Sequence, residues 1–514
     1  MPGPLFVGVD VGTQSVRASV FELAGTCLGE SSVPLSLQRR GADQVEQEPE
    51  DFYQGTVAAV KDCLRSSGRG GDVAGLAVAG QMAGILGIGG DGRSVTPFDS
   101  WLDSRCRGEV EAIADRLGDR LIELNGCPAM VAHAPKIGWW RRHEAESYRA
   151  VAKFVVPSAF VAGRLCDLDS TAAYVDTTHL HFSGVADAAA TTWSDELASG
   201  SDVEIEKLPR IVGPTDVVGK LSAAVARECG LPAGVPVAAG LGDTAAGALG
   251  AGLVEAGQLL DTAGTASVLA LSTTAYRPDL SGTLVQMRGA VPGQWIALAY
   301  LAGGDLLNWL PQVLGHPTLE ELVEEASRCQ GGRLLFVPHL GGRILPSAPW
   351  ARGAWVGLDL SQTRGDLARA VLESVAFEYA GFLGRALELH PDVVPRDVRV
   401  IGGGGENFLW NRIKASVLGL DYVHLGRENF SCWGAALVAA AAVGAVDDLA
   451  AVALATTPEV ACTPPDPELR TLYAGRQRDY RSLVELLVPP GQDALLRREV
   501  QACQGVQACQ GVQA

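Results

Sequence analysis

The residues best suited to chemistry stand at the end of the first apolar run. Asp10 lies near the end of that run, and Gly12, Thr13 and Ser15 follow before a second apolar stretch begins at Ala18. A glycine followed by hydroxyl residues lets backbone N–H groups and a side-chain hydroxyl approach an anion, while an adjacent carboxylate can hold a metal ion. The pattern predicts a β-hairpin whose turn binds a metal-bound phosphate, although an ordinary hairpin with a solvated aspartate also fits this segment.

A similar arrangement recurs about half a chain later. There Asp261 is followed by Gly264, Thr265 and Ser267, again between two apolar runs. Such self-similarity is typical of a duplicated unit. The chain has 514 residues, and a single core rarely grows beyond ~250–300 residues. We therefore predict two domains of similar size, and we expect Asp261 to play the part of Asp10 in the second hairpin.

Between the two hairpins, Asp243 lies in a Gly-Asp-Thr turn that joins a strand-like segment to a Gly/Ala-rich helix. Transfer of a phosphoryl group to a hydroxyl requires little covalent help from a protein, and one carboxylate that accepts the hydroxyl proton is sufficient. Aspartate is also a common helix N-cap. Asp243 is therefore a candidate catalytic base, a candidate cap, or both.

A run of four glycines, residues 402–405, follows a late strand-like segment and precedes Asn407. Glycines at the start of a helix let a nucleotide lie against backbone N–H groups. Glycine turns after strands are common, so this run alone does not separate a nucleotide site from an ordinary turn.

A short loop, residues 96–105, contains Trp101, Asp103 and Arg105. An aromatic wall with a carboxylate and a guanidinium group suits the recognition of a polyol. The alternative is an exposed loop with an internal Asp–Arg pair.

The charge of the chain limits its partners. The formal net charge is −18, and we find no clusters of lysine and arginine of the kind that bind a nucleic-acid backbone. Any anion site must therefore be local, built from backbone amides, helix N-termini or a divalent metal. Such a site suits a nucleotide better than a polymer.

Cysteines and apolar segments indicate a cytoplasmic protein. The 11 cysteines are scattered singly, without a C-x-x-C pair, so neither a zinc site nor a disulfide framework is expected. The N-terminus leads directly into the first strand, without the pattern of a signal peptide. No apolar stretch has the ~20 residues of a membrane span.

Taken together, these features resemble the FGGY family of carbohydrate kinases, within the actin and hexokinase superfamily. The most specific match covers residues 353–373, where Gly-Ala-Trp-Val-Gly-Leu, seven residues and Asp-Leu-Ala-Arg-Ala-Val-Leu-Glu fit the C-terminal signature of that family. The N-terminal signature is matched only in part, through Lys136, Ile137 and Trp139.

The resemblance covers residues 5 to about 450 and implies an α/β fold with two ribonuclease H-like domains facing a central cleft. Residues 1–252 would form the N-terminal domain, with the sugar site and the first phosphate hairpin. Residues 253–450 would form the C-terminal domain, which binds ATP. Residues 451–514 would be a C-terminal extension with a low-complexity tail.

The resemblance also implies roles for individual residues. Asp10 would hold Mg²⁺ and Asp243 would be the catalytic base. The residues expected around ATP and its phosphates are Gly12, Thr13, Gln14, Ser15, Arg17, Gly264, Thr265, Gly304, Asn308, Gly403, Gly404 and Asn407. Those expected around the sugar are Gln81, Met82, Ala83, Trp101, Asp103, Arg105, Asp243 and Thr244.

The implied activity is ATP-dependent phosphorylation of a ketopentose, with conversion of D-xylulose to D-xylulose 5-phosphate as the leading reaction. In the family members that phosphorylate xylulose, a histidine follows the methionine equivalent to Met82, and Ala83 replaces it here. Ribulose, another ketose or a polyol is therefore an alternative substrate. More remote alternatives are a chaperone-like ATPase and a sugar-sensing protein without activity. Partners would be a small sugar and ATP, without nucleic acid or membrane, and homodimers are common in the family.

Overall fold

The computed structural model describes residues 3–41, 43–263, 267–301, 304–329 and 332–488. The first half forms the following strands and α-helices: β1 (Leu5–Val11), β2 (Ser15–Glu22), β3 (Cys27–Pro34), β4 (Gln38–Arg40), β5 (Gln44–Gln47), β6 (Val73–Gly80), β7 (Leu86–Ile88), β8 (Phe98–Asp99), β9 (Lys153–Val155), β10 (Tyr174–Asp176), β11 (Ala186–Asp187), β12 (Thr192–Trp193), β13 (Arg210–Val212), β14 (Val217–Lys220), β15 (Pro236–Ala238), β16 (Leu241–Gly242), α1 (Pro49–Ser67), α2 (Arg107–Leu117), α3 (Asp119–Asn125), α4 (His133–His143), α5 (Ala145–Ala150), α6 (Pro157–Leu165), α7 (Asp195–Ser201), α8 (Ala223–Cys229) and α9 (Asp243–Gly250).

The second half contains fewer strands and longer helices. Its elements are β17 (Leu259–Ala263), β18 (Ser267–Thr273), β19 (Val285–Arg288), β20 (Trp295–Leu301), β21 (Leu335–Val337), β22 (Ala354–Val356), β23 (Asp397–Ile401), β24 (Asp421–Leu425), β25 (Glu459–Thr463), α10 (Gly304–Val313), α11 (Leu319–Arg328), α12 (Arg364–Leu389), α13 (Phe408–Leu418), α14 (Phe430–Ala442), α15 (Leu449–Ala455) and α16 (Pro467–Leu487). Short 3₁₀ helices span Gly70–Asp72, Ser170–Ala172, Thr177–Phe182, Ile205–Lys207 and Gly403–Glu406.

Each half builds a seven-stranded mixed sheet. The first has the order β14-β15-β6-β1-β2-β3, with β16 also paired to β6, and the second has the order β19-β20-β18-β17-β23-β24-β25. The strands β3-β2-β1-β6-β15-β14 correspond one to one to β20-β18-β17-β23-β24-β25, with the same parallel and antiparallel pairings. The duplication predicted from the two hairpins is confirmed, and so are the two sheet-rich α/β domains.

The helices α9 and α14 lie between the two sheets. Their apolar side chains share one buried cluster with residues from β1, β2 and β6 of the first sheet and from β17, β18 and β20 of the second. The two helices approach closely at Gly434, where an added Cβ would lie 2.1 Å from the backbone oxygen of Ala246. Only glycine allows that approach. The pair therefore joins the two domains, and Asp243, the first residue of α9, lies at their junction.

The second sheet extends into the C-terminal region. The strand β25 pairs with β24, and α16 packs against α12 and α13. The predicted extension therefore begins as part of the second domain's structure, and the low-complexity tail lies outside the described residues. Within the described ranges, no helix combines the length and the apolar character needed to cross a membrane.

Candidate active site

The first predicted site residue, Asp10, stands at the end of the central strand β1. It is the last residue but one of that strand and faces Arg17 across the hairpin. Its Oδ1 atom is buried and has no hydrogen-bond partner in the described part of the chain. Burial, reinforced by the charge of Asp243, raises the pKa of Asp10 to about 7. A carboxylate that lacks an adequate counter-charge in this way suits a bound cation.

The turn after Asp10 is hydrogen-bonded to residues that are predicted to contact the sugar. The Gly12 N–H closes the turn on the Ser15 carbonyl at 3.1 Å. The Thr13 hydroxyl accepts a hydrogen bond from Trp101 Nε1 at 3.0 Å and lies 3.4 Å from Gln81 Oε1. The structure thus brings the phosphate turn together with two residues predicted to contact the sugar. Gln14 and Arg17 are exposed beside them.

Asp243 is not the N-cap of its helix. That position is occupied by Gly242, and Asp243 is the first helical residue. Its Oδ1 atom accepts hydrogen bonds from the backbone N–H of Thr244 at 2.6 Å and from the Thr244 hydroxyl at 3.3 Å. Burial raises the pKa of Asp243, while the Thr244 N–H and the nearby His179 act in the opposite direction. Its charge also acts on Asp10, so the two carboxylates lie within electrostatic range of each other.

The segment Gln81–Ala83 lies directly against this turn. A Cβ on Gly242 would lie 2.4 Å from Met82 Sδ, so Met82 packs beside the residue that precedes Asp243. The Gln81 Nε2 atom donates to the Gly12 carbonyl at 3.3 Å. Ala83 has φ of 59°, a left-handed conformation in which histidine is more common than alanine. The structure therefore places Ala83 in a backbone conformation that suits the missing histidine.

The loop pair Asp103 and Arg105 is buried, not exposed. The Asp103 carboxylate accepts the backbone N–H of Val45 at 2.7 Å and the Arg105 guanidinium at 2.7 Å. Arg105 also contacts Glu46 at 2.6 Å and Asp99 at 3.0 Å. This cluster holds the loop in place, with Asp103 buried and Arg105 at the wall of a cavity that Glu46 and Trp139 also line. Trp101, in contrast, remains 42% exposed.

The expectation that Asp261 plays the part of Asp10 is wrong. Asp261 is completely buried, its Oδ1 accepts the Tyr379 hydroxyl at 2.7 Å, and its Oδ2 is paired with Lys414. The cause is register. Asp261 lies one residue further from its turn than Asp10 does, and a shift of one residue directs a strand side chain to the opposite face of the sheet. Thr262 occupies the position equivalent to Asp10.

The other residues predicted around ATP, beyond the first hairpin, lie in the second half. A Cβ on Gly404 would lie 2.9 Å from the Ala263 side chain, which places the glycine turn beside the end of β17. Asn407 caps α13, where its Oδ1 accepts the Trp410 N–H at 3.0 Å. Asn308 is exposed on α10. Gly403 lies in the same turn as Gly404 and Gly304 begins α10, whereas Gly264 and Thr265 lie outside the described residues.

Three residues near the two carboxylates were not predicted. The side chain of Gln47 donates to the Thr13 carbonyl at 3.0 Å and accepts from Gln81 at 2.9 Å. His179, in the first domain, lowers the pKa of Asp243 through its charge. Tyr300, in the second domain, has a pKa that the charge of Asp243 helps to raise. No local motif marks these residues, because only the fold brings them to the site.

Two sheets of equivalent topology, joined by a shared helix pair, form the two-domain α/β architecture of the actin and hexokinase type. The chain belongs to the FGGY family of carbohydrate kinases: the N-terminal domain of this family matches residues 5–250, and its C-terminal domain matches residues 260–443. The protein is therefore a sugar phosphotransferase of a family that uses ATP. The predicted family, fold class and enzyme class are confirmed.

Relatives with named substrates are moderately similar. The xylulose kinase of Escherichia coli K12 is 28% identical over 491 residues, which cover 94% of this chain and 99% of that protein. The crystal structure of xylulose kinase from Rhodospirillum rubrum has a TM-score of 0.86 at 26% identity, with 94% and 99% covered. A gluconate kinase structure from Lactobacillus acidophilus has a TM-score of 0.88 at 20% identity, with 95% and 99% covered. The last similarity supports the fold alone.

Proposed function

We propose that this chain is an ATP-dependent kinase that converts D-xylulose to D-xylulose 5-phosphate. The observation that carries the proposal is the position of Asp243, whose Oδ1 is held by Thr244 at the first turn of α9. Asp243 follows Gly242, which packs against Met82, and its charge reaches Asp10. The named xylulose kinases that resemble the chain over most of its length support the choice of sugar.

In this proposal Asp243 accepts the proton of the sugar hydroxyl that receives the phosphoryl group. Its raised pKa makes it a better proton acceptor than an exposed aspartate. Trp101, Met82 and Gln81 form the wall that orients the sugar, while the turn Gly12–Ser15 and the glycines at 403 and 404 face the nucleotide. Orientation of this kind is a large part of the catalysis of phosphoryl transfer.

Asp10 fits a Mg²⁺ site. Mg²⁺ prefers oxygen ligands and is usually bound by one or two carboxylates together with phosphate, and Asp10 offers a buried carboxylate oxygen without a partner among the described residues. When bound, Mg²⁺ would neutralise charge on the phosphate groups. Residence in the cytoplasm and assembly as a homodimer remain predictions.

Ala83 bears on which sugar the site selects. A methyl group at this position offers no hydrogen bond, and a site that lacks one polar partner discriminates less between sugars that differ by a hydroxyl group. Ribulose, another ketose or a polyol is therefore the second candidate.

The experiment is a coupled assay of ADP release with D-xylulose, L-xylulose, D-ribulose, L-ribulose, xylitol and glycerol. We expect the highest kcat/KM with D-xylulose. A higher kcat/KM with ribulose or a polyol would replace the sugar and leave the kinase assignment intact. Lack of stimulation by every compound in the series would overturn the proposed substrate class.

A further inference from the structure

The turn that carries Asp243 is held from outside by a neighbouring 3₁₀ helix, Thr177–Phe182. The backbone N–H of Gly242, the residue before Asp243, donates a hydrogen bond to Thr178 Oγ1 at 2.9 Å. Both residues are buried, and 64 positions separate them in the sequence. This hydrogen bond is therefore a tertiary contact made at the residue adjacent to the proposed base.

Asp176 fixes the direction of that hydrogen bond. Its Oδ1 accepts the Thr178 hydroxyl at 2.5 Å and the Thr178 backbone N–H at 2.9 Å, while its Oδ2 lies 2.6 Å from His179 Nδ1. A hydroxyl can donate only one hydrogen bond, and the Thr178 hydroxyl donates it to the Asp176 carboxylate. The lone pairs of Thr178 Oγ1 are thus left to accept the Gly242 N–H.

The start of α9 has no side-chain cap of its own, so the Thr178 hydroxyl is the side-chain group that bonds to its backbone at Gly242. Its N-cap is a glycine and provides no side-chain cap. A larger residue is excluded there, because a Cβ on Gly242 would lie 2.4 Å from Met82 Sδ. The helix has only eight residues and includes Gly247 and Gly250, and glycine raises the conformational freedom of a short segment. On its other side, the backbone of this turn is held by the pairing of β16 with β6, and Thr178 adds the side-chain contact that fixes the Gly242 N–H.

We propose that Asp176 and Thr178 are positioning residues for Asp243: the carboxylate of Asp176 orients the Thr178 hydroxyl, which fixes the Gly242–Asp243 turn for proton transfer. The inference rests on the proposed function of Asp243. Neither residue touches the substrate in this account. They act by keeping the base in place, where a displacement of ~1 Å can reduce the rate by ~10²-fold.

The test compares Thr178→Val, which keeps the shape and removes the hydroxyl, with Thr178→Ser, which keeps the hydroxyl. We expect Thr178→Val to lower kcat by about 10- to 100-fold while the KM for each substrate changes by less than about twofold. Thr178→Ser should retain kcat within about threefold of the wild type. Thr177→Val is the matched control, because Thr177 lies on the same turn and its hydroxyl makes no hydrogen bond within the described part of the chain.

A measurement that needs no substrate separates this inference from the proposed function. Amide hydrogen exchange of a peptide that includes Gly242 should be faster in Thr178→Val than in the wild type and in Thr177→Val. Unchanged exchange, or a kcat equal to that of the wild type, would overturn the positioning role. A kcat that is as low in Thr178→Ser as in Thr178→Val would also overturn the positioning role. If the wild type responds to no sugar but exchange is faster in Thr178→Val, the proposed function fails while the anchor of the turn stands.

Discussion

At the scale of single residues, the site depends on which carboxylates lack a charged partner. Asp10 has a buried oxygen without a hydrogen bond in the described ranges and a pKa raised to about 7. Asp261 is paired with Lys414, 153 residues later in the sequence, and with Tyr379. Both aspartates follow apolar runs and precede small turns, and in the sequence only the distance to the next glycine, at Gly12 or at Gly264, distinguishes them. The difference arises from one residue of register and from a distant lysine.

Substitution of Ala83 tests whether a hydrogen-bond donor at this position strengthens the binding of the sugar. Ala83→His would place an imidazole donor in a left-handed position that histidine tolerates. One additional hydrogen bond of about 1 kcal/mol corresponds to about a fivefold lower KM for a ketopentose. Ala83→Gly is the control, since it removes the backbone strain without adding a donor. Steady-state kinetics in which both variants change KM equally would contradict a hydrogen-bonding role for position 83.

At the scale of elements, the helices α9 and α14 join the two domains and position Asp243 between them. These helices are buried between the two sheets, and α9 begins at Asp243. The sequence predicts α9 as the Gly/Ala-rich helix that follows the Gly-Asp-Thr turn. It does not predict that α14, which comes from the second half of the chain, packs against β1 and β6 of the first sheet. That contact depends on the absence of a Cβ at facing positions of distant segments.

Gly434→Ala tests this close packing. The added methyl group would lie 2.1 Å from the backbone oxygen of Ala246, so the helices must move apart, at an expected cost of about 1–3 kcal/mol in the free energy of unfolding. Gly475→Ala on α16 is the matched control, because a Cβ there meets nothing within 4 Å. It should stabilise the protein by about 0.5–1 kcal/mol. Urea unfolding of both variants provides the measurement, and equal effects would contradict the packing argument.

At the scale of the whole molecule, the stability should depend on buried neutral histidines. Burial lowers the pKa of His181 to about 3 and lowers that of His133 well below its ordinary value. In the unfolded chain these groups bind protons near pH 6.5. The unfolded state therefore binds more protons as the pH falls, and the stability that these groups confer is present above pH ~6.5 and is lost as the pH falls toward their folded pKa values.

His181→Phe should reduce this pH dependence. Between pH 6.5 and 5, one buried histidine removes about 2 kcal/mol from the free energy of unfolding, and the variant should lose correspondingly less than the wild type. His143→Gln, at an exposed histidine, is the control. Unfolding curves at several pH values give the slopes. A slope that His181→Phe leaves unchanged would show that His181 does not couple folding to protonation.

The sequence predicts much of the whole molecule and less of the site's surroundings. Two similar hairpins are sufficient to predict two related domains, because the hairpin is local and its repetition is visible in the chain. Asp10, Asp243 and Trp101 are recognisable because each stands in a distinctive turn or loop. Gln47 and Thr178 are not, because they reach the site through tertiary contacts with residues such as Gln81 and Gly242.

The central claim is that Asp243 accepts the proton of the sugar hydroxyl, and Asp243→Asn tests it most directly. The amide keeps the size of the side chain and an oxygen for the Thr244 N–H, but it cannot serve as a base. We expect kcat with D-xylulose to fall by about 10²- to 10⁴-fold. The dissociation constant of the sugar, measured by calorimetry, should remain within about threefold of the wild type. Turnover at the wild-type rate in Asp243→Asn would contradict the account.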